Sequence, residues 1–173
     1  MPMMGSANYG NNPPGSSGHE PGQVCLNGHS INPWSRKSPE RNRAFCPECG
    51  AATTTCCSHC QGTILGGESM GMLGDNVASF CVHCGKPMPW IQEALDKTAE
   101  LYDLIDELQP HEKQALKTAL PDLVVDVPGT PVAAVKTGKI LKKVEAHFRE
   151  AFKQIMYAYI STKTQAFLKP FGF

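Results

Sequence analysis

The sequence predicts a small metal-stabilised β domain followed by an all-α C-terminal region, and three observations carry that prediction. All eight cysteines fall between positions 25 and 84, and none follows. The same stretch is broken by Gly28, Gly50, Gly62, Gly66, Gly67, Gly71, Gly74 and Gly85, so it holds no sustained period. From Pro89 onward apolar residues recur at helical spacing instead. A chain of 173 residues has room for one ordinary domain or two small ones.

The first element is a tail. Residues 1–23 are mostly Gly, Pro, Ser and Asn, and offer almost nothing apolar to set against ordering entropy, which predicts disorder. Residues 1–10 have neither a basic start nor an apolar run of export-signal length. The expectation is therefore a cytoplasmic protein with reduced thiols rather than a secreted disulfide scaffold. No apolar run approaches the roughly 20 residues that cross a bilayer.

Residues 24–88 form the expected metal domain, because their apolar content is too interrupted to build a conventional core. Four chelating pairs stand in it: Cys25 with His29, Cys46 with Cys49, Cys57 with Cys60, and Cys81 with Cys84. A C-x-x-C turn places two sulfurs on one side of a tight knuckle, and two such turns complete a tetrahedral site. Taken in order, Cys25, His29, Cys46 and Cys49 hold one ion, and Cys57, Cys60, Cys81 and Cys84 the other. The spacers of sixteen and twenty residues suit zinc-ribbon arms. Interleaved pairing in a cross-braced fold is compatible with the same spacings. Thiolate-rich tetrahedral sites favour Zn²⁺, and two structural zinc ions are expected.

His29 is assigned as a ligand because the first site otherwise lacks a fourth donor. His59 and His83 sit inside knuckles at positions that point away from a metal. Cys57 rather than Cys56 completes a C-x-x-C pair, which leaves Cys56 as a spare thiol without a neighbouring base. Gly50 and Gly85 follow the second cysteine of their pairs, where a left-handed residue turns backbone N–H groups toward the thiolates.

Two helical segments of opposite charge follow. Residues 89–126 place Ile91, Leu95, Thr98, Tyr102, Ile105 and Leu108 on one face, and Pro110 opens a second helix expected to run to Ala119. Residues 127–173 start a long helical region with Thr130 as N-cap and Pro131 behind it. Within it residues 139–168 read as a basic amphipathic helix with Leu141, Val144, Phe148, Ala151, Phe152, Ile155, Tyr159 and Ala166 in one stripe. Gly138 is expected to loosen its start and Pro170 to end it. The formal net charge is zero, yet the charges are sorted: five basic and five acidic residues in 1–90, three and nine in 91–134, eight and two in 135–173.

The string Cys-Leu-Asn-Gly-His at residues 25–29, Phe45-Cys46-Pro47-Glu48-Cys49-Gly50, Cys57-x-x-Cys60, and Phe80-Cys81-Val82-His83-Cys84-Gly85-Lys86-Pro87-Met88-Pro89-Trp90 resembles a bacterial family of unknown function. The likeness spans roughly residues 24–137. It implies a double zinc-ribbon head with a helical C-terminal part, places the eight assigned ligands on motif positions, and implies no activity.

Function reads first as a non-enzymatic interaction or adaptor module whose helical part binds a protein partner or a second copy. Both sites have four protein ligands and no open position for substrate water. Asp103, Asp106 and Glu107 lie on an acidic solvent face, and neither a nucleophile set nor a phosphate-cradling glycine loop points to a small-molecule substrate. Nucleic-acid binding is the alternative, because Arg36, Lys37, Arg41 and Arg43 cluster near Trp34. Against it stands the balanced head, which becomes net negative once thiolates and metal are counted. A second alternative is membrane-surface association through residues 139–168, against packing of that stripe on the rest of the chain.

Overall fold

The chain divides into two compact units, Met1–Ala78 and Ser79–Phe173. The computed structural model describes residues 20–67 and 77–173, so the tail through residue 19 and the breaks at Gly71 and Gly74 lie outside the described residues.

In the first unit, β1 (Gln23–Cys25), β2 (Ser30–Asn32) and β3 (Thr53–Thr54) form an antiparallel sheet in the order β2-β1-β3. Register places Val24 opposite Ser30 on one side and Thr54 on the other. Residues 20–23, expected in the tail, are instead packed. Pro21 bridges Leu65, the Gly22 N–H donates to the Ile64 carbonyl (2.9 Å), and the Gly66 N–H donates to the Glu20 carbonyl (2.7 Å). Only glycine fits at residue 66, since a Cβ there would lie 2.2 Å from the Pro33 carbonyl oxygen. These backbone bonds, which composition does not reveal, order the segment.

Apolar burial in this unit is slight. Among its described residues, Val24 and Ile64 are buried together with Cys25, Cys46 and Cys57. Buried amides do the work of missing strands. Asn32, 1 % exposed, donates to the Ser38 carbonyl (2.8 Å) and Asn42 Oδ1 (2.7 Å), and accepts the Trp34 N–H (3.0 Å). Gln23 clasps both backbone groups of Arg43. Every polar atom so placed needs a partner, and these side chains supply partners that a loop cannot.

In the second unit five helices follow a short hairpin in which Phe80 bridges Pro87. Helix α1 (Pro89–Asp103) starts on proline and buries Trp90, Ile91, Ala94, Thr98 and Tyr102, with its acids outside. The expected stripe outlasts the helix: Ile105 and Leu108 are buried from the turn after it. Helix α2 (Pro110–Leu123) opens with a capping box between Gln109 and Glu112. It passes Ala119, the expected end, because Leu120 and Leu123 are buried while Pro121, inside the last turn, stays exposed.

The single basic helix expected from residue 139 is three helices, α3 (Thr130–Leu141), α4 (Ala146–Met156) and α5 (Thr162–Leu168). Thr130 is not the N-cap. Its hydroxyl bonds backward, accepting the Val127 N–H (3.0 Å) and donating to the Val125 carbonyl (2.9 Å). Ser161 caps α5 by accepting the Thr164 N–H (3.1 Å), which starts a new helix where the stripe continues. Gly138 does not loosen α3; it lets Phe171 approach, since a Cβ would lie 2.4 Å from the ring.

Helix α1 packs on α2 and α4, and α3 on α2 and α5. Phe152 joins the helices through Tyr102 (ring centroids 6.4 Å apart) and Phe173 (5.5 Å). Of the amphipathic stripe, Leu141, Val144 and Phe152 are buried, as are Met156, Ile160 and Leu168 beside it. The leading carbonyl contact is Leu123, which accepts both the Ser161 N–H (3.0 Å) and the Thr164 hydroxyl (2.9 Å). Lys143–Glu112 (2.7 Å) and Lys163–Asp126 pair the basic segment with the acidic one. The Lys143 ammonium holds the Glu112 carboxyl below the usual carboxylate range. Among the described residues no helix is long and apolar enough to cross a membrane.

Two substitutions test this packing by urea unfolding. Gly138→Ala is expected to destabilise by about 1–3 kcal/mol through overpacking against Phe171. Tyr102→Phe is expected to be neutral or stabilising by about 1 kcal/mol, because the Tyr102 hydroxyl is fully buried without a partner among the described residues.

Candidate metal centres

Three knuckles repeat one backbone pattern. The N–H of the first cysteine donates to a carbonyl five residues on: Cys46 to Ala51 (2.8 Å), Cys57 to Gly62 (2.8 Å) and Cys81 to Lys86 (2.9 Å). The residue after the second cysteine returns a bond to the first, Gly50 to Cys46 (2.9 Å), Gln61 to Cys57 (2.9 Å) and Gly85 to Cys81 (2.8 Å). All three of those residues are left-handed, with φ of 72° at Gly50, 59° at Gln61 and 70° at Gly85. The fourth pair comes from the β1–β2 hairpin, where the Cys25 N–H donates to the His29 carbonyl (3.0 Å) and Gly28 turns at φ 87°.

These turns bring Cys25, His29, Cys46 and Cys49 together, with donor atoms within 4.8 Å of one another; the second group, Cys57, Cys60, Cys81 and Cys84, takes one knuckle from each unit. The grouping follows consecutive pairs. Cys25 Sγ lies 3.8 Å from Cys49 Sγ, and His29 Nδ1 lies 3.4 Å from Cys25 Sγ and 3.5 Å from Cys46 Sγ. Tetrahedral coordination with bonds of about 2.3 Å to sulfur and about 2.05 Å to nitrogen requires about 3.8 Å between sulfurs and about 3.6 Å between sulfur and nitrogen. Either group could hold a metal ion.

A family model described as "Uncharacterized protein conserved in bacteria (DUF2321)" matches residues 19–167. The chain belongs to this bacterial family. Its match covers most of both units' described residues, stopping before 168–173, and reaches further than the 24–137 span of the motif likeness. Comparison with curated proteins and comparison with solved structures give no match.

Around the first group lie residues that the ligand spacing does not reveal. Asn27 Nδ2 donates to Cys49 Sγ (3.4 Å), and the His29 N–H donates to Cys25 Sγ (3.2 Å). The Ala51 backbone N–H, more than any other group, lowers the Cys49 thiol to about 6. Burial pushes the Cys25 thiol up instead. Glu48 Oε2 stands 3.8 Å from His29 Nε2, which puts a carboxylate beside the ring nitrogen that faces away from the sulfurs. In the second group the His59 N–H donates to Cys57 Sγ, the Gly62 N–H to Cys60 Sγ and the His83 N–H to Cys81 Sγ, each at 3.4 Å. Such N–H groups spread thiolate charge and favour the metal-binding form.

His59 and His83 are exposed and stand outside both groups. Cys56 also stands outside. It bridges Thr63, as Phe45 bridges Ala52 and Phe80 bridges Pro87, so it fills the position that phenylalanine holds before the other two knuckles. Aligning those three windows in the sequence would have placed Cys56 at the bridge position before its knuckle and shown that Gln61 takes the glycine position.

The knuckle geometry predicts opposite effects at equivalent residues. Gly50→Ala, where a Cβ meets nothing within 4 Å, should cost about 1 kcal/mol from the left-handed backbone alone. Gln61→Gly should gain up to about 1 kcal/mol at the same place. Thermal unfolding of the two variants checks the pair of signs.

Proposed function

We propose that the protein is a zinc-binding, non-enzymatic interaction module with two structural zinc ions. The donor separations in the first group carry this reading, because 3.4, 3.5 and 3.8 Å match tetrahedral zinc with one nitrogen and three sulfurs. Zinc suits donor sets of three thiolates with imidazole and of four thiolates, and imposes no redox chemistry on them. Each ion would have four protein donors, which fills its tetrahedron and leaves no place to activate water. Bound zinc would neutralise part of the thiolate charge and hold the knuckles as a rigid platform. The protein's own contribution is the N–H groups and Asn27 around the sulfurs, with Glu48 orienting His29.

The helical region supports a protein-binding role. Around an open groove of about 550 Å³, α3 presents Pro131, Val132 and Val135 together with Lys136 and Lys139. Val132 is 71 % exposed. An amphipathic helix with acidic flanks complements such a face. Light scattering at low and high salt tests whether a second copy provides it, and a salt-independent monomer would exclude self-association.

Elemental analysis of the purified protein is expected to give two zinc per chain. His29→Ala and Cys49→Ser should each lower the ratio to one, and Cys56→Ser should leave it at two. A parent ratio of one or zero would overturn the reading.

A further inference from the structure

Residues 34–43 connect β2 to the Cys46–Cys49 knuckle and carry Arg36, Lys37, Arg41 and Arg43, all exposed. A surface loop with four cations ordinarily pays a large ordering cost to present them together. This one is tied from beneath along its length. Glu20 Oε1 accepts the N–H groups of Arg36 (2.8 Å) and Lys37 (2.7 Å), Asn32 holds Trp34 and Ser38, Asn42 Nδ2 donates to the Ser35 carbonyl (3.0 Å), and Gln23 fixes Arg43.

Among the described residues, the acids of residues 1–90 leave most of these cations without a carboxylate partner. Glu20 is 9 % exposed and its oxygen is taken by backbone N–H groups. Glu48 faces His29. Glu40 lies 4.0 Å from Arg41 Nε, an exposed pair of little strength. Among the described residues no carboxylate pairs with Arg36, Lys37 or Arg43. The charge balance of residues 1–90 is thus a sum over groups in different places, and among the described residues only Glu40 pairs with one of the loop's four cations.

Trp34 gives the loop a second chemistry. Its half-buried ring lies against Gly67, where a Cβ would come 2.8 Å from Cζ3, and the Lys37 ammonium sits 5.0 Å from the ring centroid. A ring face that attracts a cation also accepts a stacked base, and the displaced ammonium is then free for phosphate. Three of the four cations are arginines, whose planar forks fit phosphate oxygens. The described part of this unit has only a three-residue 3-10 turn, Pro39–Arg41, and so no helix to enter a duplex groove.

We infer that residues 34–43 bind single-stranded nucleic acid, the arginines and Lys37 holding phosphodiesters and Trp34 stacking a base. This inference rests on the metal-held platform of the proposed function and names a partner for its first unit. The test uses the full-length protein and a fluorescent oligothymidylate of about 12 nucleotides, followed by anisotropy from low to moderate salt, with zinc content measured on the same samples. Log affinity is expected to fall linearly with log salt, with a slope of about −2 to −3 for three or four phosphates. Arg36→Gln with Arg41→Gln should flatten the slope by about 1.4, and Trp34→Leu should weaken binding at an unchanged slope. Three results would overturn the inference: no saturable binding at the lowest salt by zinc-loaded protein, an arginine double variant that binds like the parent, or a polyglutamate peptide that competes as well as unlabelled oligonucleotide. Absence of zinc from the parent would instead overturn the reading beneath it.

Discussion

The first unit depends on four donor atoms being held at coordination distance in a body that has almost no hydrophobic interior. Val24 and Ile64 are its buried aliphatic residues among those described, joined by Pro21 and by Cys25, Cys46 and Cys57. Burial of two such side chains contributes about 3–6 kcal/mol. A structural zinc ion contributes about 10–16 kcal/mol in small zinc domains. Under the proposed zinc reading coordination therefore exceeds apolar burial by a wide margin. Thiolates clustered without an ion would repel one another. Burial raises the Cys25 thiol, and the Ala51 N–H lowers the Cys49 thiol.

From this constraint follows the rest of the unit's construction. Knuckles must aim backbone N–H groups at sulfur, and so each ends on a left-handed residue. Loops between them cannot pair with strands, and so Asn32, Gln23, Glu20 and Asn42 take over the backbone groups. A loop fastened in that way presents its outward side chains in a fixed arrangement. The second unit is built on the opposite principle. Its helices bury Tyr102, Phe152, Leu116, Leu123, Met156 and Leu168 in an ordinary apolar core, and charge enters only as exposed pairs such as Lys143–Glu112.

The metal-site groups were legible because ligand spacing is a local property: Cys46 and Cys49, or Cys57 and Cys60, are separated by the two residues that a knuckle requires. Cys56 was separable from Cys57 on the same ground. The start of the first helix at Pro89 was legible too, since a proline with a following stripe is a local signal. What was not legible depended on distant partners. Residues 20–23 read as tail because nothing in their composition shows that the Ile64 and Glu20 carbonyls will receive N–H groups across forty residues of chain. The basic stripe read as one helix because its spacing survives two breaks, one between Leu141 and Ala146 and one closed by the Ser161 cap on Thr164. Thr130 looked like a cap by residue type, and its hydroxyl serves Val125 and Val127 instead. The basic cluster at residues 34–43 was legible as a cluster, but its fastening by Glu20, Asn32 and Gln23 depends on partners outside the loop.

X-ray absorption at the zinc edge tests the central claim most directly. Two tetrahedral ions with the donors grouped here predict an average shell of sulfur at about 2.3 Å with a minor nitrogen component at about 2.05 Å, in the proportion of seven sulfurs to one nitrogen. A shell dominated by oxygen or nitrogen, or one with more than four neighbours per ion, would contradict the account.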